Sequence, residues 1–152
     1  MLVWLTMVGI LIIDRVIKIV IMAKFVPNET EVIIPKVLHL TFVLNPGAAF
    51  GLMAGRTWIF VITAVLVLIG VIYAQFRLPV EDSLIRLSSG MIGGGALGNL
   101  LDRVLTGKVI DYLDFRIWPF VFNFADSMIV CGVALLLIRI YCQERKVDGK
   151  VV

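Results

Sequence analysis

The stretch SSGMIGGGALGNLLDR, Ser88–Arg103, decides the fold. Gly90, Gly94, Gly98 and Asp102 recur every four residues, so on a helix they share one face. Small residues at this spacing let helix backbones approach closely, which is how helices associate in lipid. The seam ends in Asn99, Asp102 and Arg103, at i, i+3 and i+4. Packing accounts for the glycines. It does not account for Asn99, whose amide must find partners once it leaves water.

The rest of the chain extends the same pattern. Of its 152 residues, 61% are hydrophobic and 16% charged, with a mean hydropathy of +1.04. Soluble domains hold roughly 45–50% apolar residues and about 25% charged ones. A chain of this length leaves too much surface wet to hide such an excess. Lipid is therefore the expected solvent. Four runs are long enough to cross a bilayer as helix, which takes about 20 residues. They cover residues 2–23, 58–76, 84–101 and 120–141. The first continues past Asp14 and Lys18 without a small-residue cleavage site, so it reads as a retained span. The expected class is all-α: one membrane-embedded domain, residues 1–152, with four transmembrane helices. Between the first two spans, VLHLTFVLN is rich in β-branched and aromatic residues, so a small strand-containing loop region is expected there.

Charge excludes some partners. The net charge is +3, but basic residues sit at the borders of apolar runs, as snorkelling anchors do. There is no basic stripe with interleaved aromatics, so nucleic acid is not an expected partner. The linkers on the two faces carry equal numbers of Lys and Arg; only the basic C-terminal tail tilts the termini toward the cytoplasm. Cys131 and Cys142 share one run, about 16 Å apart along a helix. That is too far to bridge, and they read as small buried apolar side chains.

The polar residues inside apolar runs carry the chemistry, because a charge at mid-membrane costs about 2.5–3.5 kcal/mol on insertion scales. Asp14 and Lys18, at i, i+4, read first as an ion pair. VIDYLDF brings Asp111 and Asp114, and FNFADS brings Asn123 and Asp126. Asp126 falls in or near a first helical turn, where the dipole favours a carboxylate. The single histidine, His39, has no nucleophile elbow beside it. One His with two intramembrane Cys does not furnish a zinc site, so no metal or other cofactor is expected. No serine lies near a lysine on one helix face, which disfavours a Ser-Lys pair.

Carboxylates remain. Two that share a proton hydrolyse an amide without metal: one ionised as general base, one protonated as general acid. Spacing alone does not choose the pair. Asp111 and Asp126 flank a short linker; Asp102 and Asp114 compete with them. A transport or channel subunit uses intramembrane acids as well, but spreads them across the bilayer.

The ordered set of Asp14 with Lys18, NPGAAF, GGALGNLLDR, VIDYLDF and FNFADS resembles lipoprotein signal peptidase, also called signal peptidase II, over nearly the whole chain. The resemblance implies an aspartic endopeptidase of the bacterial inner membrane. It would cut a prolipoprotein just before its diacylglyceryl-modified lipobox cysteine. It implies Asp111 and Asp126 as catalytic dyad. Asn45 would contact substrate. Gly95, Asn99, Asp102 and Arg103 would shape and brace the pocket, with Asn123, Asp14 and Lys18 in support. Asp114 is not the catalytic acid of its motif. Both termini would face the cytoplasm, with the site near the outer leaflet. The partners are the lipid-modified substrate and membrane lipid; a monomer is expected. From its strand-like pattern and the Gly-Ala-Ala run after Asn45, the first loop, which includes Phe50, is expected to lie over the site as a platform and clamp. The stretch between Asp111 and Asp126 is shorter than in better-known members of that family.

Overall fold

A computed structural model describes residues 1–47, 56–77 and 81–148, with side chains as far as residue 145. It holds four helices: α1 Leu2–Lys24, α2 Thr57–Arg77, α3 Ser83–Thr106 and α4 Phe124–Asp148. Four strands, β1 Thr30–Ile34, β2 Leu38–Asn45, β3 Val109–Phe115 and β4 Val121–Phe122, form one antiparallel sheet in that order. All-α therefore understates the fold. The strand region extends into the linker between the third and fourth expected spans, where VIDYLDF pairs with β2.

The glycine seam places α3 at the centre, packed against α1, α2 and α4. A Cβ on Gly94 would sit 2.9 Å from Ile10 Cβ, and one on Gly132 would sit 3.0 Å from the Ser88 carbonyl. Both helix pairs need glycine for that approach. Asp82 caps α3, accepting from Leu84 N–H at 2.9 Å, and also accepts from Arg139 Nε at 2.6 Å. One carboxylate thus starts α3 and ties α4 to it. Gly107, with φ of 74°, ends α3 in the left-handed conformation that favours glycine.

The helices are inside out relative to a soluble bundle. Asp14 and Lys18 are 0% exposed, whereas Leu66 and Tyr73 on α2 are each 61% exposed. Helices α2 and α4 are apolar and long enough to cross a membrane. Helices α1 and α3 have comparable length, about 35 Å at 1.5 Å per residue, but carry buried charge or glycine.

Two expectations are corrected. The fourth run does not begin as helix at 120: Val121 and Phe122 pair with β3, and α4 starts at Phe124. Cys131 and Cys142 are exposed on α4, not buried. The sheet is anchored through Ile21 of α1, Phe42, Ile110 and Tyr112, a buried apolar cluster that fixes which face of β3 looks inward.

Candidate active site

Strand alternation turns Asp111 away from that cluster, because Ile110 and Tyr112 occupy the other face of β3. A bulge in β2 between Leu40 and Val43 sets Val43 opposite Asp111 and Asn45 opposite Val109. Asn45 Nδ2 then donates to Asp111 Oδ2 at 2.9 Å, while Asn45 Oδ1 accepts from Gly47 N–H at 3.0 Å. Residues 48–55 of the loop expected to cover the site, Ala48, Ala49 and Phe50 among them, lie outside the described residues.

Asp126 comes from the opposite side, in the first turn of α4. Asn123 holds the N-cap position. Its Oδ1 accepts from Asp126 N–H at 2.9 Å, and the Asp126 carboxylate accepts from Asn123 N–H at 3.3 Å. This reciprocal capping box satisfies two orphan donors and fixes the Asp126 side chain. A third donor, Phe124 N–H, reaches Tyr112 Oη at 3.0 Å.

Asparagines join the two acids. Asn123 Nδ2 donates to Asp111 Oδ1 at 2.7 Å and to Asn99 Oδ1 at 3.1 Å. Asn99 Nδ2 donates to Asp126 Oδ1 at 2.6 Å. Both acids line one cavity of about 980 Å³, with Asn45 and Arg103 at its polar end. Phe60, Trp118, Phe120, Phe122 and Val130 form apolar walls. Burial pushes the Asp111 carboxyl up to about 6, and the Asp126 charge adds to the rise; hydrogen bonds from Asn45 and Asn123 oppose it.

The competing acids have other partners. Asp102 binds Lys18 Nζ at 2.7 Å, contacts Arg15, and accepts from Ile110 N–H at 3.2 Å. Lys18 also meets Asp14 at 2.9 Å, and Arg15 meets Asp14 at 3.2 Å. Two cations and two anions thus neutralise one another within α1 and α3. The cluster bonds to the site through Lys18 Nζ, which donates to Asn99 Oδ1 at 3.3 Å. Asp114 accepts from Thr41 Oγ1 at 3.0 Å and pairs with Arg116 at 3.1 Å.

Gly95 shapes the bundle behind the site: a Cβ there would collide with the Ala125 carbonyl, one residue before Asp126. Arg103 donates to Asn99 O at 3.4 Å and stacks over the Phe60 ring at 4.9 Å.

A sequence profile described as "Signal peptidase (SPase) II" matches residues 6–142.

The chain belongs to the signal peptidase II family.

A lipoprotein signal peptidase of Desulfitobacterium hafniense is 59% identical over 96% of this chain and 97% of its own length. That of Clostridioides difficile is 43% identical over 88% of this chain and 90% of its own. A solved bacterial membrane enzyme, determined by the in meso method at 2.3 Å resolution, superposes with a TM-score of 0.86 at 32% identity, covering 93% of this chain and 88% of that one.

Within this signal peptidase II chain, the cavity's apolar walls, Phe60 among them, escaped the sequence reading, as did Arg15 and Tyr112. Arg15 had a legible signal. It precedes Lys18 by three, so it reaches that residue's helix face. Phe60 looked like an ordinary apolar-run residue, and Tyr112 like an ordinary linker aromatic.

Proposed function

We propose that this chain removes the signal peptide from diacylglyceryl-modified prolipoproteins, cutting the bond just before the lipidated cysteine, with Asp111 and Asp126 as the catalytic pair. One observation carries the assignment: the two carboxylates line one cavity and are joined through Asn123 and Asn99. Membership in the signal peptidase II family supports the substrate class.

The chemistry follows from one proton shared by two buried carboxylates. The ionised carboxylate takes a proton from water as the water oxygen bonds to the scissile carbonyl carbon. The protonated one gives its proton to the carbonyl oxygen. The tetrahedral intermediate collapses as the C–N bond breaks, and a proton passes to the departing amine. Arg103 and Asn45 border the same space and hold the substrate backbone. The apolar walls take the acyl chains.

In this reading all four helices span the membrane. The charges of α1 are tolerated because Asp14 and Lys18 are fully enclosed and neutralised. Both termini face the cytoplasm, and the sheet lies at the outer leaflet, where a lipid-anchored substrate arrives by lateral diffusion. The protein acts as a monomer. The enclosed charge cluster disfavours a transport path, which needs polar groups open to water along the bilayer.

The test is direct. The purified chain is incubated with a lipidated prolipoprotein and with its unlipidated form, and product masses are measured. The expected result is one cut, on the amino side of the modified cysteine, in the lipidated substrate. Cleavage elsewhere contradicts the reading.

A further inference from the structure

A second cavity, of about 410 Å³, adjoins the first and shares Trp118, Pro119, Phe120 and Val121 with it as a wall. Its polar edge is Asp114 with Arg116. Asp111 and Asp114 stand three residues apart on β3, about 10 Å at 3.3 Å per residue, and project to opposite faces. The wall therefore has an acid pair on one side and an ion pair on the other. We infer that the second cavity is a subsite for the mature polypeptide just beyond the lipidated cysteine, gripping its backbone through Asp114 and Arg116. This rests on the proposed function.

Three observations point to a peptide. The cavity adjoins the one lined by the acids across a shared wall, so a chain leaving the cleaved bond and passing round that wall meets it next. Asp114 Oδ2 accepts from both Thr41 and Arg116, while among the described residues nothing donates to Oδ1. The Arg116 guanidinium has one partner among the described residues, Asp114, so its other N–H groups are available, and the side chain is half exposed; the backbone N–H is held by the Val37 carbonyl at 3.0 Å. An open acceptor beside open donors matches the N–H and C=O of an extended peptide. An anionic lipid headgroup would use the donors only and would be repelled by Asp114.

The wall sets a length requirement. At about 3.3–3.6 Å per extended residue, a mature segment of two residues spans about 7 Å, less than the roughly 10 Å between Asp111 and Asp114, whereas one of eight spans about 27 Å and is long enough to pass round the wall. Steady-state cleavage of two lipidated substrates differing only in this length, by the parent, Arg116→Ala and Arg116→Lys, separates the cases. The expected result is that Arg116→Ala lowers kcat/KM for the long substrate about tenfold more than for the short one, mostly through KM, the size of one lost hydrogen bond to a charged group. Arg116→Lys, which keeps the cation, restores part of the difference. Equal losses on both substrates overturn the subsite and leave Arg116 a fold residue. An effect that tracks anionic lipid content and ignores substrate length overturns it in favour of a headgroup site. If the parent cleaves neither substrate, the proposed function itself falls.

Discussion

Asn123 Nδ2 donates to the Asp111 carboxylate at 2.7 Å, from the residue that caps the helix bearing Asp126. This side chain therefore ties strand β3 to helix α4, beside the bond from Phe124 N–H to Tyr112 Oη. Truncating it orphans buried groups and removes a cap. Caps are worth about 1 kcal/mol and a buried unsatisfied partner about 1–3 kcal/mol. Asn123→Ala is expected to lower thermal stability in detergent and to reduce kcat at least a hundredfold. Asn123→Asp is expected to keep the cap yet lose activity, because it puts a third carboxylate beside the pair. Paired unfolding and cleavage assays check both.

The elevated Asp111 pKa makes stability depend on pH. Its folded value of about 6 lies above the ordinary 3.8, so the folded state holds a proton that the unfolded chain has lost between those values. This contribution is present below about pH 4 and is lost as pH rises through about 6. The change is about 3 kcal/mol, from 1.36 kcal/mol per pKa unit. The stability of Asp111→Asn minus that of the parent is expected to rise by about this amount from pH 4 to pH 7. Denaturation at several pH values in detergent reads it, and a flat difference contradicts the buried-carboxylate picture.

Lys18 answers two acids at once, Asp14 at 2.9 Å and Asp102 at 2.7 Å. Removing one partner from a buried charge set costs about 3–5 kcal/mol, because the opposite charge is left unpaired. Lys18→Met is expected to destabilise by that order. Adding Asp14→Leu is expected to recover part of it, so the two changes are not additive. A double variant as unstable as the sum of the singles contradicts the neutral-cluster account.

The glycines separate by what surrounds them. A Cβ on Gly98 would lie 2.7 Å from Asp14 Oδ2, and one on Gly94 would lie 3.0 Å from the Met7 carbonyl. Gly9 and Gly70 have nothing within 4 Å of that position. Ala at 94 or 98 is expected to cost about 1–3 kcal/mol through overpacking. Ala at 9 or 70 is expected to be neutral or to stabilise by about 0.5–1 kcal/mol, through helix propensity. Thermal unfolding of the four variants checks the contrast.

The helices were legible because apolar runs of bilayer length have few alternatives. The end of the third was read five residues early, since Asp102 and Arg103 look like an interface while Asp102 is enclosed by Lys18 and Arg15. The start of the fourth was read early because PFVF, residues 119–122, is apolar throughout; Asn123, three residues before Asp126, was the capping signal that marked the true start. Strand β3 was not anticipated, although Ile110, Asp111 and Tyr112 alternate in polarity. The choice among Asp102, Asp111, Asp114 and Asp126 was not legible from spacing. It depends on the register of β3 against β2, on the bulge at Leu40–Val43, and on which acids meet cations, none of which a single strand's pattern encodes.

The central claim is that Asp111 and Asp126 together perform the cleavage. The most direct measurement is metal-free cleavage of a lipidated prolipoprotein by the purified parent, Asp111→Asn and Asp126→Asn, each shown to be folded by its thermal transition. The expected result is an active parent, with activity in each variant at least a thousandfold lower. Cleavage near the parental rate by either folded variant contradicts the account and returns that acid to a structural role.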